Sequence, residues 1–382
     1  MNNTKSFAEI NEKITRGEAV VMTAEEFKKL ARQSSPKELV QKVDVVTTGT
    51  FGPMCSSGAF INFGHAQPPI RMEKITLNDV PVFSGVAAVD GYIGATETSP
   101  DNERYGGAHI IEELIAGKDI RLRATGKGTD CYPRKEIETM INKDSVNEFF
   151  MFNPRNAYQN YAAAVNTTNK IKYTYMGSLL PHLGNMTYST SGELSPLLND
   201  PDFRTIGIGS RIFLGGTEGF VAWNGTQFNT SKPKNESGIP TSNAATIAVI
   251  GNAKDMSTDF VRAAYFEKYG VSIFIGIGIP IPVLDEEMAM RLSISNENIE
   301  THIIDYGIPD HPALGKVNYK QLQSGSVELN GKLIKTAPMS SMLKAREIAG
   351  LLKEWIVQNK FTLSEPVKPF PTNTSLKSLQ IR

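Results

Sequence analysis

Thr246-Ile247-Ala248-Val249-Ile250 is an unbroken, mostly β-branched apolar run that predicts a buried strand. The stretch 257–269, closed by a glycine, predicts a helix, and the apolar run 271–279 predicts a second buried strand. Asp285 is placed to cap a further helix, and 302–306 predicts a third strand. Because strands and helices alternate here, we expect an α/β fold with a mixed sheet and βαβ units in the C-terminal part.

The chain before residue 246 is less regular. Capping sequences predict short helices after Thr23 and Ser35, a β-branched run predicts a strand over 43–48, and 105–117 reads as an amphipathic helix. Residues 153–161 resemble a loop entering a helix, and the surrounding middle third is rich in turns. We therefore expect α+β elements in the middle third.

A polar, proline-containing stretch over 229–243 predicts a long surface loop or a boundary. It divides the chain into a cysteine-bearing catalytic region over 1–240 and a βαβ region with a C-terminal helix and tail over 241–382. Either the two regions fold separately or they form one compact unit.

The composition of the chain argues against several classes of protein. The 40 acidic and 40 basic residues cancel, so no overall field favours nucleic acid or an anionic membrane. The polar N-terminus lacks the apolar core of a signal peptide, and no apolar run is long enough to span a bilayer. With only two cysteines, a disulfide framework is excluded and a cytoplasmic location is expected.

Both cysteines lie in turns that follow predicted strands. Cys55 belongs to Gly-Pro-Met-Cys-Ser-Ser-Gly, and Cys131 belongs to Gly-Thr-Asp-Cys-Tyr-Pro-Arg-Lys, with cations on either side. Nearby cations favour the nucleophilic thiolate form of a cysteine. Either turn could equally hold an ordinary surface thiol, but two thiols in glycine-rich turns favour sulfur or redox chemistry.

Other side chains could serve a site built around these thiols. His65 follows Cys55 by ten residues and could act as an acid, a base or a substrate donor, or could only bond its own loop. Three arginines either bind a substrate carboxylate or are surface or structural arginines, and a carboxylate such as Glu97 or Asp130 suits a substrate ammonium or proton transfer. The arginines are Arg134, Arg155 and Arg211. No spacing typical of a zinc or iron–sulfur site is present, so we expect this chain alone to bind no metal and no cofactor.

Several longer phrases carry a family resemblance. They include Met-Cys-Ser-Ser-Gly at 54–58, Asn-Phe-Gly-His at 62–65, Tyr-Ile-Gly-Ala-Thr-Glu at 92–97, Gly-Thr-Asp-Cys-Tyr-Pro-Arg at 128–134, Asn-Pro-Arg-Asn at 153–156 and Leu-Ser-Pro-Leu-Leu-Asn-Asp-Pro at 194–201. Together they resemble the homocysteine biosynthesis family of anaerobic archaea and bacteria, the L-aspartate semialdehyde sulfurtransferases, over roughly residues 5–360. The chain resembles the form without C-terminal cystathionine-β-synthase-type domains.

The resemblance implies a reaction. Aspartate semialdehyde takes up sulfide-derived sulfur through a cysteine persulfide and is reduced to homocysteine with two electrons. It also implies a separate ferredoxin-type iron–sulfur partner that supplies those electrons. We expect Cys131, with its cationic neighbours, to carry the persulfide and Cys55 to be the resolving thiol, although the roles could be exchanged.

Two other functions fit the same residues. A non-catalytic sulfur carrier or sulfide-binding subunit would hold a persulfide without consuming the aldehyde. A cysteine hydrolase would turn over esters or amides without any reductant. The sequence does not decide whether the protein forms a homo-oligomer.

Overall fold

The computed structural model describes residues 4–381. It leaves out residues 1–3 of the first predicted region and residue 382 of the second. The α-helices are α1 (Phe7–Arg16), α2 (Ala24–Ala31), α3 (Pro36–Lys42), α4 (Gly107–Ile115), α5 (Pro196–Asn199), α6 (Glu286–Leu292), α7 (Tyr319–Gln323) and α8 (Met342–Val357).

Most of the regular structure is strand. The strands are β1 (Val21–Thr23), β2 (Val45–Thr47), β3 (Thr50–Pro53), β4 (Gly58–Asn62), β5 (Lys74–Leu77), β6 (Val80–Val82), β7 (Asp90–Gly94), β8 (Thr98–Ser99), β9 (Asn102–Gly106), β10 (Ile120–Thr125), β11 (Glu136–Ile141), β12 (Glu148–Asn156), β13 (Ala163–Val165), β14 (Lys172–Thr174), β15 (Gly177–Leu179), β16 (Met186–Tyr188), β17 (Arg211–Leu214), β18 (Thr217–Asn224), β19 (Ile247–Asn252), β20 (Val261–Phe266), β21 (Gly270–Gly278), β22 (Pro280–Pro282), β23 (Glu300–Asp305), β24 (Ala313–Asn318), β25 (Ser326–Leu329) and β26 (Lys332–Pro338).

A nine-stranded sheet organises the molecule. Its strand order is β20-β21-β17-β18-β19-β12-β4-β7, and β3 pairs with β21 beside this path. A six-stranded sheet, β24-β23-β13-β16-β26-β25, contains the parallel pairs β13–β23 and β16–β26. A four-stranded antiparallel sheet, β11-β10-β5-β6, carries the loop of the second cysteine between β10 and β11.

The predicted α/β class with mixed sheets is confirmed. Helix α2 begins with a capping box at Thr23, and α3 has a proline in its first turn. The predicted amphipathic helix is α4, Asp285 caps α6, and helices are interspersed among the strands from β22 onward. The buried run that begins at Ile247 is β19, as predicted.

Two predicted elements are wrong. Residues 257–269 contain strand β20 instead of a helix, because residues 261–266 pair with β21 in an antiparallel hairpin. Residues 153–156 end strand β12 instead of opening a loop. The pairing of β12 with β19 shifts between Asn153 and Asn156, and Pro154 lies inside this irregularity. A bulge is where a strand tolerates proline.

Strands from both sides of residue 240 belong to the same sheet. Strand β18 pairs with β19 across that position, and β3 from the N-terminal part pairs with β21. The largest buried apolar cluster likewise runs from Ala24 to Phe370. The division of the chain at residue 240 stays a prediction. Of the two alternatives, separate regions or one compact unit, this pairing corresponds to one compact unit. None of the helices within residues 4–381 has the length and apolar character needed to cross a membrane.

Candidate active site around Cys55

Cys55 lies in the turn that joins β3 to β4. The turn is closed by Ser57, whose backbone N–H and hydroxyl both donate to the carbonyl of Met54, at 3.0 and 2.7 Å. The side-chain amide of Asn153, on β12, donates to the Ser57 hydroxyl at 2.8 Å in the buried interior. These bonds fix the half-buried Cys55 thiol relative to the large sheet.

The β20–β21 hairpin contacts the thiol from the other side. Cys55 Sγ lies 3.2 Å from the hydroxyl of Ser272, and the hydroxyl of Tyr269 donates to Sγ at 3.9 Å. Sulfur is larger than oxygen, and both distances are within its hydrogen-bonding range. The thiol therefore has two hydroxyl partners.

A cavity of about 520 Å³ opens beside Cys55. This volume is within the range of roughly 300–1,000 Å³ that is usual for small-molecule sites. The polar side chains that line it belong to Thr50, Cys55, Ser56, Arg155, Tyr158, Tyr161, Tyr175, Ser189, Thr190, Ser195, Gln227, Lys232, Asn243, Tyr269 and Ser340. Two of them are cations, and the described lining contains no aspartate or glutamate, so its charge favours an anionic group.

Arg155 is a half-buried cation in the lining of this cavity. It lies near the end of β12, where its backbone N–H donates to Asn153 Oδ1 at 2.9 Å. Its Nε is buried and has no hydrogen-bond partner within the described residues. Burial raises the pKa of the neighbouring Tyr158, and a hydrogen bond with Arg155 opposes that rise. A guanidinium with an unused buried donor is suited to a ligand carboxylate.

A cluster of tyrosines, of which Tyr161, Tyr175 and Tyr269 line the cavity, lies beside it. The hydroxyls of Tyr175 and Tyr306 lie 2.8 Å apart, and the ring of Tyr175 packs edge-on against Tyr161 and Tyr269. Burial is the main cause that raises the pKa of Tyr161, Tyr269 and Tyr306. These hydroxyls therefore keep their protons near neutral pH and can act as donors.

Cys131 lies elsewhere, exposed in the loop between β10 and β11. His65, which is also exposed, stacks on Tyr132 in this loop with ring centroids 6.1 Å apart. Cys55 precedes β4 and His65 follows it, and five residues of strand span roughly 13 Å at about 3.4 Å per residue. The structure therefore groups His65 with Cys131 and not with Cys55.

The remaining predicted residues lie outside the cavity lining. Arg134 donates to the carbonyls of Gln67 and Pro68 at 2.7 and 3.0 Å. Arg211 pairs with Glu218, donates to Thr362 Oγ1 at 3.0 Å and lies over the Phe361 ring. Both guanidiniums bond to protein groups, although the Arg211 Nε, like that of Arg155, is buried without a hydrogen-bond partner among residues 4–381, and only Arg155 of the three arginines lines the cavity.

Glu97 is exposed, although its turn adjoins the Cys55 turn through a 2.8 Å bond from the Ala95 N–H to the Ser57 carbonyl. Within residues 4–381, no three His, Cys, Asp or Glu side chains are grouped to hold a metal ion. The expectation that this chain alone binds no metal stays a prediction.

Sequence reasoning missed the hydroxyl partners of the thiol. Tyr269 and Ser272 belong to a hairpin whose first strand was predicted as a helix. Tyr158 and Tyr161 belong to the 153–161 stretch, which attracted attention for Arg155 alone. The sequence did signal the Cys55 turn, because glycine and proline mark it locally.

Fold and site together define an α/β protein with a half-buried cysteine on a cationic, hydroxyl-rich cavity. The chain belongs to the family described as homocysteine biosynthesis enzyme, sulfur-incorporation, whose model matches residues 19–363. The family resemblance stated from the sequence is thereby confirmed.

Two relatives are similar over nearly the whole chain. An L-aspartate semialdehyde sulfurtransferase of Methanosarcina acetivorans is 48% identical over 379 residues, covering 98% of this chain and 74% of the relative. A protein of the same name from Methanocaldococcus jannaschii is 50% identical over 381 residues, covering 95% of this chain and 72% of the relative. No solved structure matches the chain.

Proposed function

We propose that this protein is an L-aspartate semialdehyde sulfurtransferase that forms L-homocysteine. Family membership and the names of the two relatives support the reaction. The structural observation that carries the proposal is the presence of Cys55 and Arg155 in the lining of one cavity, a thiol and a free carboxylate partner together.

Arg155 binds the substrate carboxylate in this proposal. A charge-assisted pair with a carboxylate would satisfy its buried Nε, which otherwise carries a desolvation cost. The substrate ammonium then rests on neutral oxygens, because the described lining offers hydroxyls and amides but no carboxylate. Glu97, the predicted ammonium partner, stays an untested alternative outside this lining.

Cys55 carries the sulfur in this proposal. The thiolate attacks the outer sulfur of a persulfide or polysulfide donor, a new S–S bond forms, and the donor leaves as a thiolate. The terminal sulfur then adds to the aldehyde carbon. The sequence-based preference for Cys131 as the persulfide bearer is thus reversed, in favour of the cysteine that lines the cavity, and Cys131 takes the role of resolving thiol that was expected of Cys55.

The number of electrons that the reaction needs depends on the oxidation state of the sulfur that enters it. From sulfide, the aldehyde becomes a thiol and water with two electrons and two protons. Persulfide sulfur is two electrons more oxidised, so the route from the loaded enzyme takes four: two cleave the S–S bond after sulfur addition, and two reduce the thioaldehyde. The two cysteines of this chain can cycle but cannot supply net electrons, so a separate ferredoxin-type iron–sulfur protein is proposed as their source.

The test uses the wild-type chain, Cys55→Ser and Cys131→Ser, each loaded with polysulfide and then given L-aspartate semialdehyde and a low-potential reductant. Intact-mass spectrometry follows the 32 Da sulfur adduct, about one sulfur atom, while homocysteine is quantified. We expect loading and product to require Cys55.

Other outcomes would indicate a different function. An adduct that persists in the presence of aldehyde and reductant would indicate a sulfur carrier. Ester or amide turnover that needs no reductant would indicate a hydrolase. Homocysteine formation by Cys55→Ser at the wild-type rate would contradict the proposed site.

A further inference from the structure

Ser272 lies directly across the sheet from Cys55. In the antiparallel pair of β3 and β21, Pro53 is opposite Phe274 and Gly52 is opposite Ile275. The Met54 N–H extends this ladder by donating to the Ile273 carbonyl at 2.7 Å. The next pair in register is Cys55 and Ser272, and Ser272 is fully buried. The thiol is therefore held by the strand pairing itself.

Tyr269 approaches the same sulfur from the end of the hairpin. Its hydroxyl is 3.9 Å from Cys55 Sγ, and its ring packs against Tyr175 with centroids 6.1 Å apart. The side chain lines the cavity, yet it is 40% exposed, so its hydroxyl can exchange a proton with solvent. Burial first, and the Cys55 thiol second, raise the pKa of Tyr269.

We propose that Tyr269 is the acid that protonates the aldehyde oxygen while the sulfur on Cys55 adds to the aldehyde carbon, and that Ser272 positions the Cys55 sulfur for that addition. This inference rests on the proposed function and assigns two residues that the sequence did not single out.

The step is balanced without a redox partner. The deprotonated terminal sulfur of the Cys55 persulfide forms a bond to the aldehyde carbon, and the carbon–oxygen π bond breaks. The O–H bond of Tyr269 breaks as its proton moves to the aldehyde oxygen. The products are a hydroxyalkyl disulfide on Cys55 and the Tyr269 phenolate, which regains a proton from water.

Distance and acidity both suit this assignment. A persulfide places its terminal sulfur about 2.05 Å beyond Sγ, and the Tyr269 hydroxyl is 3.9 Å from Sγ, so an aldehyde bonded to that sulfur has its oxygen within reach of this hydroxyl. Because the pKa of Tyr269 is raised, the hydroxyl is protonated at neutral pH and has a proton to give to the oxygen as negative charge develops there. Among the hydroxyls of the described lining, only that of Tyr269 lies within hydrogen-bonding distance of the sulfur; Ser272 contacts the sulfur from outside this lining.

The experiment compares Tyr269→Phe with Tyr265→Phe, a control on the same hairpin whose hydroxyl contacts Glu103 at 3.2 Å. Polysulfide loading of Cys55 is followed by intact mass, and homocysteine formation by steady-state kinetics. We expect Tyr269→Phe to lower kcat on the order of 10²–10³-fold, with loading and KM close to wild type. Tyr265→Phe is expected to leave all three unchanged.

Ser272→Ala tests the positioning role. Ser272 contacts the sulfur and not the aldehyde. Ser272→Ala is therefore expected to slow polysulfide loading and turnover by the same factor, whereas Tyr269→Phe is expected to slow turnover alone. Wild-type kcat in Tyr269→Phe, or an equal loss of loading and turnover, would overturn the acid assignment. A wild-type protein that loads sulfur but makes no homocysteine would instead contradict the proposed function, and the role of Tyr269 with it.

Discussion

Asn153 joins the Cys55 turn to Arg155 through one side chain. Its amide nitrogen donates to the Ser57 hydroxyl at 2.8 Å, and its carbonyl oxygen accepts from the Arg155 N–H at 2.9 Å. Asn153 is fully buried. The turn that carries the thiol and the backbone of Arg155 therefore share a single anchor at the irregular end of β12.

Replacing this anchor is expected to cost stability and geometry together. Asn153→Ala leaves the Ser57 hydroxyl and the Arg155 N–H without their buried partner, and we expect the free energy of unfolding to fall by about 1–3 kcal/mol. Urea unfolding measures this change. The control is Asn147→Ala, an exposed asparagine just before β12, which is expected to stay within about 0.5 kcal/mol of wild type. Equal stability of the two variants would show that Asn153 is no anchor.

Local signals were enough to locate the Cys55 turn, whereas its partners depended on distant pairing. The β-branched run and the Gly-Pro motif act within a few residues, so the strand–turn–strand around Cys55 was readable. Tyr269 and Ser272 reach the thiol only because β20 folds back on β21 and β21 pairs with β3. The sequence of 261–266 contains alanine and arginine, which suit a helix, and the sheet overrides that preference.

Separation along the chain is a poor guide to the position of His65, whose role stays a prediction. A separation of ten residues between a thiol and an imidazole would suit one compact loop, but five residues of this stretch form the extended strand β4. An extended strand carries its two ends apart, and His65 joins Tyr132 instead. Arg155 could be named in advance as a carboxylate partner, but no local pattern favoured it over Arg134 or Arg211, which the fold leaves outside the cavity lining.

The two cysteines are expected to react at different rates. Cys131 is exposed in its loop, whereas Cys55 is half-buried beside Ser272. A bulky maleimide should modify Cys131 first, and bound L-aspartate semialdehyde should protect Cys55 alone. Peptide mapping after timed labelling measures both effects, and Cys131→Ser should lose the fast phase. Protection of Cys131 by the substrate, with Cys55 unaffected, would return the site to the β10–β11 loop.

Lys28 provides a pH-dependent prediction about stability. It is buried on α2, its Nζ donates to Asn199 Oδ1 at 2.6 Å, and burial lowers its pKa to about 8. Below pH 8 the folded protein carries the full cost of a buried charge. As pH rises from about 8 towards the unfolded value, the folded lysine loses its proton before the unfolded one does, and stability increases.

Lys28→Met removes this dependence. The stability difference between Lys28→Met and wild type is expected to shift by about 2 kcal/mol in favour of wild type between pH 8 and pH 9.5. Urea unfolding across this range measures it. Lys29→Met, at the exposed neighbouring position, should show no such shift. A pH-independent difference for Lys28→Met would mean that Lys28 keeps its charge throughout and that its hydrogen bond to Asn199 compensates for burial.

Arg155 makes the sharpest prediction about substrate binding. Arg155→Met removes the proposed carboxylate partner, and a lost charge-assisted hydrogen bond is worth about 1.5–3 kcal/mol. This corresponds to a fall of roughly 10–150-fold in kcat/KM, expected mainly in KM because the carboxylate is bound equally before and during reaction. Polysulfide loading of Cys55 should be unchanged, since it precedes aldehyde binding. Arg155→Lys should recover only part of the loss, because lysine keeps the charge without the planar pair of donors.

The control is Arg211→Lys, whose guanidinium is occupied by Glu218 and Thr362, and its KM should match wild type. Succinate semialdehyde, which keeps the carboxylate and lacks the ammonium, separates the two ends of the substrate. If Arg155 binds the carboxylate, Arg155→Met should lose the same factor with both aldehydes. If the loss occurs only with aspartate semialdehyde, Arg155 does not bind the carboxylate, and another group in the cavity must do so. The free Nε of Arg155, buried beside a thiol in a cavity lined by no described carboxylate, favours the first result.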